Sequence, residues 1–191
     1  MNMKTNRLEA FSDGVLAIII TIMVLELKTP KETDFHSLIP KIPIFLSYLI
    51  SFIYIGIYWN NHHHLFQITQ KVNGIILWAN LHLLFWLSLI PFTTAWIGEN
   101  YQASAPVTLY GIVLLMSAIA YFLLQNAILI NHGKDFALRT VIGKDLKGKL
   151  SLVIYLIGIV LSFFNSWMAI SCYIIVAIIW FIPDRRIEKT I

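Results

Sequence analysis

Ser12, Asp13 and Thr21 interrupt a run over residues 8–27 that is otherwise almost wholly apolar, and Arg7 stands just ahead of it. A carboxylate near mid-bilayer costs about 2.5–3.5 kcal/mol on insertion scales, and less near an end, so Asp13 needs a partner or a purpose. Two kinds of chemistry fit it. It either handles an ion or a proton, or it is a satisfied clasp that ties its helix to a neighbour. At about 100° per residue, Ile18, Ile22 and Leu25 fall within about 60° of one another, with Phe11, Gly14, Val15 and Thr21 flanking the same face. Asp13 points well away from that stripe, which favours the clasp. Its candidate partners are Arg7 on the same helix and Trp59, His62, His63 and His64 at the end of the second apolar run.

The histidines raise a second chemistry. There are six, and an unperturbed pKa of about 6.5 suits proton transfer at physiological pH. His82 alone lies inside a predicted span, where bonding to a neighbouring helix explains it as well as a relay does. Adjacent helical residues point about 100° apart, so His62, His63 and His64 are poorly placed to share one metal ion, and no metal is expected. Thr21 either bonds its own backbone or offers its hydroxyl to a passing ion. No Ser-His or Asp-Asp spacing sets a nucleophile beside a base at membrane depth, and no glycine loop for phosphate appears, so no enzyme and no cofactor are expected. The single Cys172 excludes an intrachain disulfide.

The elements that must hold these residues are membrane helices. Hydrophobic residues make up 58% of the chain and charged residues 13%, about half the share of a soluble domain. One water-soluble core cannot absorb that excess. Apolar runs near residues 8–27, 42–62, 73–97, 106–130, 149–165 and 167–183 match the roughly 20 residues a crossing needs, the last two as a hairpin about Asn165-Ser166. The first run lacks a small-residue cleavage pattern and reads as a retained helix. Of the 14 basic residues, only Lys28, Lys31 and Lys41 fall on the side opposite the ends, so both termini are expected to be cytoplasmic. The connection from His132 to Lys149 reads as a charged interfacial segment. Residues 1–191 thus form one all-α, polytopic transmembrane domain of six helices. Basic residues do not cluster on a face, which argues against nucleic acid.

"RLEAFSDGVLAIIIT", "YWNNHHHLF" and "NGIILWANLHLLFWLSLIPF" together resemble the transmembrane protein 175 family of potassium channels, in its six-helix bacterial branch. The most specific element is Arg7-x-x-x-Phe11-Ser12-Asp13. The family lacks the TVGYG filter of other potassium channels, and so does this chain. The resemblance implies a pore lined by the first helix of each subunit, constricted at Ile18, with Ile22 and Leu25 continuing the hydrophobic neck and Thr21 as the pore threonine. Arg7, Phe11, Ser12, Asp13, Trp59 and either His62 or His63 correspond to a polar network at the cytoplasmic end. A single pore helix per chain implies a homotetramer, and the six-helix length a prokaryotic plasma membrane.

The function expected from these readings is a passive cation channel of modest potassium selectivity, gated by its hydrophobic constriction, with potassium as the permeant ion. A proton-permeable channel and a small secondary transporter are the alternatives. The transporter reading calls for helices broken at related positions in two halves, and Pro91 has no counterpart.

Overall fold

The computed structural model describes residues 5–132 and 146–181. The first apolar run forms α1, Thr5–Leu25, which stops ahead of Thr29-Pro30, where the residue before proline is pushed out of helical conformation. Its buried residues Leu8, Ser12, Leu16, Ile19 and Met23 recur at spacings of three and four, as one face of a helix requires. A short 3-10 turn, Phe35–Lys41, is capped by Asp34, whose Oδ1 accepts from the Ser37 amide at 2.9 Å. It leads into α2, Ile42–Gln67, with Pro43 in the first turn where no amide donor is needed.

The third span is two helices. Asn73 caps α3, Gly74–Ser88, by accepting from the Ile76 amide at 2.9 Å, and α4, Ile90–Glu99, follows after a break at Leu89. Pro91 causes the break: it has no amide proton for the helix ladder, and its ring displaces the preceding turn. The Leu89 amide bonds instead to the Trp86 carbonyl, at 3.2 Å. Then come α5, Ser104–His132, and the hairpin of α6, Leu146–Leu161, with α7, Ser166–Phe181. Asn165 starts α7 by accepting from the amides of Trp167 and Met168 at 2.9 and 3.2 Å. With α3 and α4 counted as one bent span, the described residues hold six helical spans.

Four of these, over residues 5–25, 35–67, 74–99 and 104–132, are long and apolar enough to cross a membrane. The α6 and α7 helices have 16 residues each, about 24 Å at 1.5 Å per residue against a hydrocarbon thickness of about 30 Å. The expected interfacial piece between His132 and Lys149 lies mostly in residues 133–145, outside the described residues.

Hydroxyls and amides pin the bundle together. Ser51 joins Tyr110 at 2.9 Å and accepts from Thr94 at 2.7 Å, linking α2, α5 and α4. The Tyr54 hydroxyl donates to the Tyr173 carbonyl at 2.5 Å, and Tyr155 donates to Tyr54 at 3.3 Å, linking α2, α7 and α6. Hydrocarbon supplies no substitute water, and among the described residues no fully enclosed side-chain nitrogen or oxygen lacks a partner. The Tyr173 ring lies against Gly111 of α5 and Gly158 of α6, where a Cβ on either glycine would collide with it. That absence of side chain lets three helices close up.

Candidate functional site

The first helix has two unlike faces. One packs on α2, α3 and α4 through the buried line from Leu8 to Met23. The other is uncovered in the single chain: Phe11 is 52% exposed, Ile18 60%, Ile22 43% and Leu25 74%. Gly14 and Thr21 are exposed on the same side, and Arg7 is exposed toward its start. Between Gly14 and Leu25 that face carries no charge. The Thr21 hydroxyl donates to the Ala17 carbonyl at 2.8 Å, which settles its proton and leaves the oxygen as an acceptor.

A polar anchor holds the opposite face, and it has two branches. In the buried branch Ser12 donates to the Leu8 carbonyl at 2.9 Å and accepts from Asn80 Nδ2 at 2.9 Å. Asn80 Oδ1 lies 2.8 Å from His62 Nε2, and since a carbonyl oxygen only accepts, His62 donates there. This chain runs from α1 through α3 to α2. In the exposed branch Trp59 Nε1 donates to Asp13 Oδ1 at 3.1 Å, and the His63 ring stacks on Trp59 with centroids 6.0 Å apart and planes 12° apart. Gln67 then donates to His63 at 2.9 Å.

The structure therefore brings together Ser12 with His62 and Asp13 with Trp59 and His63, in two separate sets. Arg7 and Phe11 join neither; both sit on the uncovered side of α1. His64 turns toward Gln67, which also bonds His63, so of the three consecutive histidines only His62 turns inward, to Asn80. His82 accepts from Trp86 of its own helix at 3.0 Å. Asn80 was not singled out as a site residue from the sequence, although an amide within "LWANLHLL" carries the available signal: inside a span it must find a partner on another helix.

An apolar bundle with four helices long enough to cross a membrane defines a multi-pass membrane protein. A family model described as endosomal/lysosomal potassium channel TMEM175 matches residues 7–91. A protein from Chryseobacterium named as a potassium channel is 59% identical over 189 residues, spanning 99% of this chain and 98% of that one. The crystal structure of a lysosomal potassium-selective channel TMEM175 homolog from Chamaesiphon minutus superposes with a TM-score of 0.78 at 31% identity, covering 92% of this chain and 95% of that one. A zebrafish (Danio rerio) relative named endosomal/lysosomal proton channel TMEM175 is 25% identical over 135 residues, 68% of this chain but 25% of its own length. The chain belongs to the TMEM175 family of ion channels.

Proposed function

We propose that the chain is a passive, modestly potassium-selective channel formed by four copies, with the uncovered face of α1 lining the pore. The observation that carries this reading is the division of α1: one side is locked to α2, α3 and α4, while Ile18, Ile22, Leu25 and Thr21 are left on the other. One helix cannot enclose a water column, so the pore needs copies of it around an axis. Placement of both termini on the cytoplasmic side agrees with the distribution of basic residues, and the plasma membrane of a prokaryote is the location assigned from the bacterial relatives.

The mechanism follows from wetting. Ile18 side chains held far enough apart admit a column of water, and a small approach expels it and stops ions. No carboxylate lies on the face of α1 between Gly14 and Leu25 and the sequence carries no TVGYG segment to build a carbonyl cage, so in this reading preference among cations rests on the ease of partial dehydration. Potassium, the larger and more weakly hydrated ion, passes more readily than sodium. Thr21, with its hydroxyl proton committed to Ala17, offers an oxygen to the partly dehydrated ion. The polar anchor sets the position of each α1 without touching the ion.

The test is flux from proteoliposomes under a potassium gradient. Ile18→Asn raises conductance by wetting the neck, and an unchanged single-channel current removes Ile18 from the constriction. A second reading, proton permeation, is favoured by the zebrafish relative's name and is separated by measuring proton current with potassium absent.

A further inference from the structure

A cavity of about 300 Å³ opens between α2, α5, α6 and α7, away from the uncovered face of α1. Its lining is graded along the helices. Asn61, Gln125 and Lys149 lie nearest the end of the bundle; Tyr58 lies one turn in; Tyr54, Ala118 and Tyr155 lie a further turn in. The inner hydroxyls are spent on each other and on the Tyr173 carbonyl, so the floor presents ring carbon and the Ala118 methyl. Ser151 is likewise spent, donating to the Lys147 carbonyl and accepting from Trp180.

The outer turns are different. Tyr58 and Gln125 are 8% and 7% exposed, yet neither the Tyr58 hydroxyl nor the Gln125 amide has a hydrogen-bond partner among the described residues. Asn61 commits its amide nitrogen to the Ile57 carbonyl and keeps its oxygen free of any side-chain donor. A polar group so deeply placed in an apolar bundle costs free energy unless something bonds to it. Beside them Lys149 is exposed at the start of α6.

We propose that this cavity binds an anionic phospholipid from the surrounding bilayer. One acyl chain lies on the aromatic floor, the glycerol ester accepts from Tyr58, and the phosphate accepts from Gln125 and pairs with Lys149. The volume is at the lower end of ordinary ligand sites and takes one chain. Polarity and charge rise toward the end of the bundle in the order in which a leaflet lipid presents tail, ester and phosphate. The inference does not depend on what α1 conducts.

Native mass spectrometry tests it, on full-length protein taken from vesicles of equal phosphatidylglycerol and phosphatidylcholine. Wild type retains phosphatidylglycerol in preference, Lys149→Gln removes the preference, and Ala118→Trp, which fills the floor, removes the adduct. Tyr58→Phe and Gln125→Leu, which delete polar atoms without adding bulk, each lower retention by about two- to tenfold, the effect of one hydrogen bond. Equal retention of both lipids by wild type, or unaltered retention by Tyr58→Phe and Gln125→Leu, overturns the proposal, as does displacement of the adduct by inorganic phosphate alone.

Discussion

Asn80 spends its amide in both directions, donating to Ser12 and accepting from His62, in a medium with no water to replace either partner. Asn80→Leu strands the His62 proton as well as a Ser12 lone pair. Thermal unfolding in detergent then shows a loss of about 1–3 kcal/mol, the cost of an unsatisfied buried donor. Ser12→Ala strands only the Asn80 amide proton, one buried group where Asn80→Leu strands two, and costs less. A double-mutant cycle of the two gives a coupling of about 0.6–1.7 kcal/mol if the bond contributes as interhelical bonds in membranes do. Thr21 belongs to the same scale. Thr21→Val keeps the shape and removes the oxygen, so it narrows the potassium-to-sodium preference; an unmoved bi-ionic reversal potential excludes Thr21 from selection.

At the level of helices, glycines decide contact distances. A Cβ at Gly158 would fall 2.6 Å from Tyr173 Cε1 and 3.2 Å from Cys172 Cβ, whereas one at Gly14 meets nothing within 4 Å. The Tyr173 ring cannot yield easily, since its carbonyl and hydroxyl are both engaged, with Tyr54 and with the Val107 carbonyl. Gly158→Ala is therefore expected to destabilise by about 1–3 kcal/mol through overpacking, read as a lower melting temperature. Gly14→Ala should raise the stability of the subunit by about 0.5–1 kcal/mol through helix propensity. The bent third span works in the same way. By stopping the ladder at Pro91, the chain lets Thr94 reach Ser51 and brings Gly98 against Ser47 and Ile44 of α2.

For the whole molecule, the proposed assembly reverses one of these results. Gly14 sits in open space in the single chain but on the face assigned to the axis, so Gly14→Ala should alter flux while leaving the subunit intact. Unaltered flux and unaltered tetramer would mean that lipid, and not sister copies, covers this face. Asp13→Ala releases the Trp59 bond between α1 and α2, and is expected to reduce assembled tetramer more than it alters ion preference. Trp59→Phe, which deletes only the donor, should do the same. Cross-linking and size-exclusion chromatography read the assembly, and a well-formed tetramer with changed selectivity would contradict the clasp.

Hydropathy alone was enough to place the six helical spans, four of them long and apolar enough to cross a membrane, because a bilayer demands about 20 consecutive apolar residues and few segments of any chain comply. The uncovered stripe of Ile18, Ile22 and Leu25 was legible for a similar reason: helical periodicity is a local property. So was the need of Asp13 for a partner, though not which one. Charge placed Arg7 among the candidates, but Arg7 lies on the far side of the helix and the indole of Trp59 takes the role. What folding alone decided is how polar groups pair across helices. His62 and His63 are adjacent and chemically identical; about 100° of helical rotation sends one inward to Asn80 and leaves the other outside against Trp59. Asn80, the empty partners of Tyr58 and Gln125, and the fit of Tyr173 between two glycines depend on distances between segments far apart in the chain, and spacing along a sequence does not encode those distances.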